Sequence, residues 1–590
     1  MALNWACSGE YRDTLDGYSM AARGGLSFAS TRNSEHHILA FQFSRDAFDV
    51  LVERLAAEMG FLFYAACLIL LDYLYFKAKY TRSNGPPVWY GLPIVGIAPL
   101  FCLPKFLFTP IFNWYLRYMP DVIVTRFFQP YVFVKNSALI DVQSSEYCNS
   151  RPALAMGELI GYLTTGRPSW FIFDQNRKHV DWRSVRKTNV MALNVLPKQE
   201  KFERIAEVAD SLLETIEDLN GRLYDCECDI AIAKLQETRN LHFGGTAGVR
   251  ITRRIVAEID KLMLIIPYFF LLISLVPLKV FLSIEYYLPK AWRPSLLKKV
   301  YFNFTKRILE EKVGGADEPR DFVEAVLRLK SPDAALDFIR QTTLFNMVAS
   351  THTTRHVTMA ALSYISLHKR VQEKIQAELD RVVGSAPLTL EHLGELHYMK
   401  AAIHEACRMS PPLPTIMRWS SNPVQIGNVT VEANMRIVLF TISETVDPGN
   451  FESPQKFIPE RYLNDKGIFE PSKNFTIFSR GKRMCPGQDI ANMSTQVYCS
   501  KILQRFDIVP KSYELEVPGF SGTLIPDSPK IPVRFLLRKG APARRLSVQA
   551  SEMPVVSEKA PGGGSIQTAS PMSLLFAFIG DLGGKHPRPA

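Results

Sequence analysis

The sequence predicts a mainly α-helical protein with a smaller β part, an α+β fold built as one large domain with appendages at both ends. Three observations favour this fold class. The chain from Ser331 to about Leu367 has no glycine, and no proline beyond its second residue, which is typical of one long helix. Residues 424–442 and the segment around Val533 alternate like strands. The length of 590 residues exceeds the usual size of one core, which suggests a large domain with additions.

Composition and charge exclude several classes of protein. Hydrophobic residues at 47% and charged residues at 22% describe a globular chain. The nine cysteines are an odd number, and Cys226 and Cys228 are too close together for a zinc pair, so we expect a reducing compartment without disulfides. The net charge of +11 suits an anionic membrane surface or an acidic protein partner. No zinc finger or arginine-rich arm supports nucleic-acid binding.

An apolar segment near the N-terminus predicts a membrane anchor. Residues 60–76 read GFLFYAACLILLDYLYF, with Asp72 as the only charge, and this length lies at the lower edge of what spans a bilayer. Lys77 and Lys79 follow directly, which predicts that the rest of the chain stays on the cytoplasmic side. We therefore predict a transmembrane anchor over residues 59–76. The alternatives are a buried core helix or an uncleaved signal peptide.

The segments around this anchor read as appendages. Residues 1–58 are predicted to be a dispensable extension or the product of a mispredicted start, because Met59 looks like a natural beginning. Residues 77–97 form a basic flank and a Pro-rich hinge, in which Pro86, Pro87 and Pro93 stiffen the chain against both helix and sheet ladder. Residues 541–590 are rich in Pro, Gly and Ser and predict a disordered tail.

Residues 98–540 are predicted to form the body of the protein. A second apolar run over residues 262–278 is interrupted by Pro267 and Pro277, which favours a segment that dips into one leaflet; a second membrane span is the alternative. After the long helix we predict a helix from about Arg370 to Gly384 and a third from Leu390 to Met409. The predicted mixture is mainly helical, with a smaller sheet.

A single cysteine lies in a segment rich in glycine and arginine, Phe478-Ser-Arg-Gly-Lys-Arg-Met-Cys485-Pro-Gly487. We call residues 478–487 the cysteine loop. Gly481 and Gly487 let the backbone approach a flat ligand, and the nearby cations favour the thiolate, which is the form that binds iron. A lone cysteine is more often a small buried hydrophobe, so the argument depends on the spacing of the whole loop.

Further polar residues occur at fixed spacing elsewhere in the body. Glu405 and Arg408 share one face of a helix, a pair that alone is usually a solvated surface ion pair, and Arg461 follows in Phe457-Ile-Pro-Glu-Arg461. Trp182 and Arg186 are four residues apart. For Arg186, and for Arg418 further along the chain, the alternative is a plain surface charge.

The spacing Phe-x-x-Gly-x-Arg-x-Cys-x-Gly of the cysteine loop resembles the haem-binding signature of the cytochrome P-450 superfamily. Glu405-x-x-Arg408 and Pro459-Glu-Arg461 resemble two further motifs of that family, in the same order along the chain. The likeness covers about residues 60–539 and is closest to fungal microsomal members. It implies the cytochrome P-450 fold, with residues 98–540 as the haem-thiolate catalytic domain.

The resemblance implies roles for individual residues. Cys485 would be the axial thiolate ligand of haem b (iron protoporphyrin IX), Phe478 would pack near the sulfur, and Arg483 would bind a haem propionate. Gly481 and Gly487 would let the loop approach the macrocycle. Further residues implied to serve the propionates are Trp182, Arg186 and Arg418. The structural group implied to lock the segment before the cysteine loop is Glu405, Arg408 and Arg461.

The long helix departs from the family pattern. Ala349-Ser-Thr-His-Thr-Thr354 stands where the family usually has Ala/Gly-Gly-x-acid-Thr-Thr, so Ser350 replaces a glycine and His352 replaces the acid. The resemblance implies that Thr353 supplies a catalytic hydroxyl to dioxygen chemistry. We predict that His352 relays protons, because imidazole titrates near neutral pH. The alternative is that His352 only packs within the helix.

The resemblance implies a monooxygenase that inserts one oxygen atom of O2 into a lipophilic substrate, by hydroxylation or epoxidation, in the manner of fungal secondary metabolism of terpenoids or polyketides. It implies electrons from NADPH through a cytochrome P-450 reductase, with cytochrome b5 as a further partner. Membrane lipid and a lipophilic small molecule would be the other partners. The protein would lie in the endoplasmic reticulum membrane with one N-terminal anchor and its catalytic domain in the cytoplasm.

Two other functions stay open at this level. A reductase-independent haem-thiolate isomerase or peroxygenase fits the altered Ser350 and His352. A non-catalytic haem-binding protein is the second, although the retained Thr353 argues against it.

Overall fold

The structure is a computed structural model of the chain. It describes residues 63–82 except 65, 84–92, 97, 105–151 except 128 and 149, 182–244, isolated positions between 253 and 312, 318–513 except 474, and 529–540 except 530 and 531. The predicted extension over 1–58, the first residues of the predicted anchor, the apolar run over 262–278 and the predicted tail over 541–590 lie outside these described residues.

The chain divides into two compact units, Met1–Lys79 and Tyr80–Ala590. In the first unit, residues 66–79 are helical. Among the residues that the structure describes, no helix has both the length and the apolar composition needed to cross a bilayer. The second unit contains all the elements named below.

Helices dominate the second unit, as the sequence predicts. Their bounds are α1 Lys105–Tyr118, α2 Ala138–Ser144, α3 Trp182–Leu193, α4 Lys198–Glu217, α5 Glu227–Phe243, α6 Phe322–Leu329, α7 Pro332–Leu367, α8 Lys369–Val382, α9 Leu390–Glu395, α10 His397–Met409, α11 Thr441–Val446 and α12 Gln488–Arg505, with 3₁₀ turns at Pro459–Tyr462 and Gly481–Arg483.

The strands form one larger sheet and two hairpins. Their bounds are β1 Val88–Trp89, β2 Val122–Phe127, β3 Gln129–Val134, β4 Ile416–Trp419, β5 Val424–Ile426, β6 Val429–Val431, β7 Arg436–Leu439, β8 Phe506–Pro510 and β9 Val533–Leu537. The larger sheet has the order β1-β2-β3-β7-β4, while β5 pairs with β6 and β8 pairs with β9. Its β3 and β7 run parallel, with Val132 opposite Ile437. The predicted α+β fold class is therefore confirmed.

The long helix α7 crosses the body, and its predicted bounds are confirmed. Ser331 is extended, Pro332 occupies the first turn, where its missing N–H costs nothing, and the helix runs for 36 residues. At 1.5 Å per residue its length is about 54 Å. It packs against α5, α10 and α12. The main apolar core lies along this contact and includes Ile365, Met399 and Leu503, all 0% exposed.

The predicted third helix is two helices, α9 and α10, separated at Leu396. The carboxylate of Glu378 on α8 explains the break. It accepts hydrogen bonds from the backbone N–H groups of Tyr398 (2.8 Å) and Met399 (2.9 Å), which are free donors in the first turn of α10. The start of α10 is therefore stabilised by Glu378, which lies twenty positions before Tyr398. No local sequence pattern indicates this helix start.

The Pro-rich segment is less resistant to sheet pairing than predicted. Pro86 and Pro87 are followed directly by β1, whose Val88 and Trp89 pair in parallel with β2. The carbonyl of Pro87 accepts the N–H of Val124 at 2.9 Å. Proline removes only a donor, so its carbonyl still contributes to the ladder at the edge of the sheet.

The buried imidazole of His404 on α10 makes fold stability dependent on pH. Its ring lies 4.4 Å from that of Phe475 and 4.6 Å from that of Phe469, centroid to centroid. Burial, together with the charge of Lys400, lowers the pKa of His404 from 6.5 to about 3. The unfolded chain therefore binds a proton that the folded chain rejects, so this group destabilises the fold progressively as the pH falls from 6.5 towards 3.

We expect His404→Phe to remove this part of the acid sensitivity. Below pH 6.5 the variant's free energy of unfolding falls by about 1.4 kcal/mol less per pH unit than that of the wild type, because Phe keeps the ring packing and does not titrate. Urea unfolding at pH 6.5, 5.5 and 4.5 measures the slopes. His392→Gln, at the partly exposed start of α9, serves as the control. Equal slopes for wild type and His404→Phe would contradict the assignment.

Candidate functional site

The cysteine loop folds back on itself around Cys485. The N–H of Cys485 donates to the carbonyl of Phe478 at 2.8 Å, and this hydrogen bond closes the loop. Gly481–Arg483 form a 3₁₀ turn within it, and α12 begins at Gln488, directly after the loop. The short turn and the helix start together fix the position of the thiol.

Two of the predicted glycines have different surroundings. Gly481 has φ +68°, and a Cβ there would lie 2.6 Å from the carbonyl oxygen of Gln143 on α2. Glycine is therefore required both by the backbone conformation and by the close approach to α2. A Cβ on Gly487 would meet no atom of the described residues within 4 Å, so these residues leave room beside the backbone two positions beyond the thiol.

Opposing effects act on the Cys485 thiol. Burial raises its pKa above the ordinary value, and the N–H of Gly487 and the positive charges of Arg186 and Arg151 offset that rise only in part. Donors and cations directed at the sulfur are what stabilise a thiolate ligand. The loop thus has the electrostatic surroundings that bound iron would exploit.

Helix α3 places two predicted residues against the cysteine loop. The guanidinium of Arg483 lies 3.7 Å from the ring centroid of Trp182. The Nη2 of Arg186, one turn later on α3, donates to the carbonyl of Met484 at 2.7 Å. Residues some 300 positions apart are therefore in contact, and all three flank Cys485. A planar guanidinium stacked on an indole is held in a fixed orientation.

The loop has a third attachment through Arg418 on β4. Arg418 is only 2% exposed, which excludes the surface-charge alternative. Its Nη2 donates to the hydroxyl of Ser479 at 2.8 Å. Ser479 has φ +60°, a conformation that L residues rarely adopt. The sequence marks Ser479 only by its place in a basic loop, two residues before Gly481.

The structural group Glu405, Arg408 and Arg461 is in contact and almost fully buried. Arg408 binds the carboxylate of Glu405 through two hydrogen bonds of 2.8 Å, and Arg461 adds a third of 3.1 Å. The N–H of Ile458 donates to the same carboxylate at 2.9 Å. The Nη1 of Arg408 also reaches the carbonyl of Thr445 at 2.6 Å. This pair is therefore a buried cross-link and not the solvated surface pair that its spacing alone would suggest.

On α7, hydroxyl groups bond back to the carbonyls one turn earlier. The Oγ1 of Thr353 donates to the carbonyl of Ala349 at 2.6 Å, and the Oγ of Ser350 donates to that of Asn346 at 2.7 Å. The Ser350 hydroxyl also lies 3.0 Å from that of Thr238 on α5. Ser350 therefore attaches α7 to α5, which a glycine could not do.

His352 lies 4% exposed on α7, and its Nε2 has no hydrogen-bond partner among the described residues. Burial, and then the charge of Arg355, lower the pKa of His352 from 6.5 to about 3. The premise that this imidazole titrates near neutral pH is therefore wrong, because burial penalises the charged form. A neutral imidazole still has one donor and one acceptor nitrogen, so a role in proton relay stays a prediction.

A side-chain contact connects α3 and α7, the two helices that carry candidate site residues. The Nδ2 of Asn346 on α7 donates to the Oδ1 of Asn189 on α3 at 3.1 Å, and both residues are buried. Helix α3 also carries Trp182 and Arg186, and α7 also carries Thr353. The contact fixes the spacing of α3 and α7 at that level.

The residues present fit a haem. Cys485 offers the thiolate ligand, the described residues leave room beside Gly487, and cationic side chains cluster at the same loop. The buried Nε of Arg480 has no hydrogen-bond partner among the described residues, which is consistent with an acceptor from outside the chain. Haem carries two carboxylates that need such cations.

Comparison with known families decides the assignment. The family model described as Cytochrome P-450 matches residues 86–531. The chain belongs to the cytochrome P-450 family. Family membership implies a haem iron held by a cysteine thiolate, and cytochromes P-450 are generally monooxygenases.

Three relatives show how far the likeness of this cytochrome P-450 extends. It is 31% identical to probable cytochrome P-450 4d20 of Drosophila melanogaster over 37% of this chain and 48% of that protein. It is 32% identical to tryptamine 5-hydroxylase of Oryza sativa subsp. japonica over 34% and 42%. Cytochrome P-450 2E1 of Oryctolagus cuniculus is 25% identical over 75% and 91%. The chain thus matches about half the length of the first two relatives and most of the third.

We expect Glu405→Gln to destabilise this cytochrome P-450 strongly. The substitution leaves Arg408 buried without its counter-charge, which costs about 3–5 kcal/mol of unfolding free energy. Urea denaturation measures the loss. Glu460→Gln is the matched control, because Glu460 sits on the same 3₁₀ turn as Arg461 and pairs with Lys374 with 45% of its side chain exposed. That control changes stability by about 1 kcal/mol or less. Equal losses in the two variants would contradict the role of Glu405.

Proposed function

We propose that this cytochrome P-450 is a membrane-anchored haem-thiolate monooxygenase that inserts one atom of O2 into a lipophilic substrate. The overall reaction converts substrate R–H, O2, NADPH and H⁺ to R–OH, H2O and NADP⁺. The supporting observation is the convergence of Cys485, Arg186, Arg483 and Trp182 from two distant segments on one loop.

Each residue near the site has a task in this proposal. Bound haem would supply the redox chemistry, with electron donation from the Cys485 thiolate favouring O–O cleavage. Arg186 and Arg483, with Trp182 stacked on the latter, would bind the haem carboxylates. The closed turn from Phe478 to Cys485 holds the ligand in place. Glu405, Arg408 and Arg461 maintain the segment that leads into this turn.

Helix α7 supplies the polar groups for proton handling. The hydroxyl of Thr353 is held by the carbonyl of Ala349, so its orientation is defined before any substrate binds. His352 occupies the position where the family usually has an acidic residue. As a neutral buried imidazole it would accept a proton at one nitrogen and donate one from the other. Burial of this region limits the access of bulk water.

The electron source in this proposal is NADPH through a cytochrome P-450 reductase, with cytochrome b5 as a further partner. The supporting observation is the positive charge on the surface near the cysteine loop, where Lys482, Arg183 and Lys187 are exposed. An acidic partner surface would be attracted there, so turnover with reductase would fall as the salt concentration rises. Salt-independent turnover would count against this docking surface.

We place the protein in the endoplasmic reticulum membrane with residues 59–76 as a single anchor and residues 98–540 as a cytoplasmic catalytic domain. The supporting features are the apolar run over 60–76 and the basic residues that follow it. Terpenoid or polyketide intermediates are the proposed substrate class. Carbonate washing of membranes from expressing cells tests the anchor, and metabolite comparison of hosts with and without the chain, fed such precursors, tests the substrate class.

A second candidate is a reductase-independent haem-thiolate enzyme that uses a peroxide. The neutral, buried state of His352 favours it, because this residue is not charged as a proton donor at neutral pH. Turnover supported by hydrogen peroxide but not by NADPH with reductase would select this candidate. The reverse result would select the monooxygenase.

We expect Cys485→Ala to abolish the strongly red-shifted Soret band that forms when the reduced protein binds carbon monoxide. The variant lacks the sulfur ligand, so haem is lost or held without thiolate. Cys228→Ala is the control, because Cys228 is also partly exposed and lies on α5. A red-shifted band in Cys485→Ala would refute the haem-thiolate assignment.

We expect Thr353→Ala to keep haem but to uncouple O2 use from product formation. Without the oriented hydroxyl, hydrogen peroxide released per NADPH rises and product per NADPH falls by about tenfold or more. Assays with reductase and a substrate found by metabolite comparison measure both ratios. Thr358→Ala is the matched control, because Thr358 makes the same back-bond to the carbonyl of Thr354 at 2.8 Å. Unchanged coupling in Thr353→Ala would contradict the assigned role.

A further inference from the structure

A buried carboxyl group lies beside the segment that enters the cysteine loop. Glu444 on α11 is 1% exposed, and its Oε2 accepts a hydrogen bond from the hydroxyl of Thr476. Its other oxygen, Oε1, has no hydrogen-bond partner among the described residues. Burying a carboxyl group in this way is costly, and burial raises the pKa of Glu444 to about 7. A leucine would fill this space without that cost.

Thr476 lies at the start of the turn into the cysteine loop. Its carbonyl accepts the N–H of Ser479 at 2.7 Å, and Ser479 is the residue with φ +60°. The neighbours Phe475 and Ile477 pack against the apolar core. Thr476 is therefore held in place immediately before the strained turn at Ser479.

Helix α11 is itself attached to the buried Glu405 group. The carbonyl of Thr445, the residue after Glu444, accepts the Nη1 of Arg408 at 2.6 Å. Arg480 in the cysteine loop exerts a favourable charge interaction on Glu444. One short helix thus contacts the Glu405 group through its backbone and the entrance of the cysteine loop through a side chain.

We propose that Glu444 is a positioning residue for the thiolate loop: through its hydrogen bond to Thr476 it anchors the strained turn and so keeps Cys485 placed as a ligand. This inference rests on the proposed haem-thiolate function. Glu444 acts through Thr476 and has no contact with Cys485. The cost of burying it is the reason to assign it a task beyond packing.

Two single variants and their combination test the proposal. Glu444→Leu leaves the Thr476 hydroxyl without its acceptor, and Thr476→Val leaves the carboxyl without its donor. Each single variant leaves one buried polar group without a hydrogen-bond partner, whereas the double variant replaces both partners by apolar groups. We therefore expect each single change to loosen the loop and the double change to loosen it no further than either single change, because each single change already removes the same hydrogen bond. Glu444→Gln, which keeps an acceptor oxygen, is expected to retain most of the wild-type behaviour.

The first measurement is the carbon monoxide spectrum of the reduced, full-length protein. In each single variant we expect a substantial part of the red-shifted Soret band to be replaced by an unshifted band, while total haem is retained. The second measurement is hydrogen–deuterium exchange of the peptide over residues 475–485. Its amides are expected to exchange about tenfold faster in the single variants, the equivalent of one lost buried hydrogen bond.

Glu378→Leu is the matched control. Glu378 is also buried and accepts two backbone hydrogen bonds, but at the start of α10. It is expected to lower stability without changing the ratio of the two Soret bands. The same band change in Glu378→Leu would overturn the proposal, because the effect would then be one of general stability.

The remaining outcomes separate this proposal from the proposed function. Single variants that match the wild type in both measurements, or a double variant whose loss equals the sum of the single losses, would overturn the role of Glu444. Absence of the red-shifted band from the wild type would instead refute the haem-thiolate function. In that case hydrogen exchange still decides whether Glu444 anchors the turn.

Discussion

The buried carboxylate of Glu405 is the interaction on which the arrangement of the site depends. It accepts hydrogen bonds from two guanidinium groups and one backbone N–H, in a position with no exposed surface. Charges buried to this degree are tolerated only when every partner is in place. The group therefore defines how α10, the 3₁₀ turn at Pro459–Tyr462 and α11 meet, and the cysteine loop is built on that junction.

The cysteine loop is held by contacts from separate parts of the chain. Helix α3 supplies Arg186 and the Trp182 ring, β4 supplies Arg418, and α2 approaches Gly481 closely. None of these contacts is local in sequence. A loop with a serine in the left-handed conformation is strained, so attachment at several points is a physical requirement for a fixed ligand.

The local pattern predicts α7 and the strand at β9, because capping and alternation are properties of neighbouring residues, whereas the role of the cysteine loop comes from family resemblance. The Glu405 group was predicted only through family resemblance, since an i, i+3 ion pair is most often a surface feature. The break at Leu396 and the low pKa of His352 could not be predicted. The first depends on Glu378 from another helix, and the second on burial by distant segments. Glu444 was missed for the same reason, because its partner Thr476 lies 32 positions away.

The two glycines of the cysteine loop have different consequences for protein engineering. At Gly481 a β-carbon would collide with the main chain of α2, so we expect substitutions there to strain the fold whether or not haem is bound. At Gly487 the described residues set no steric limit, so we expect tolerance there to depend on the space that bound haem would need. Substitutions screened at both positions would separate the steric limits set by the protein backbone from those set by its prosthetic group.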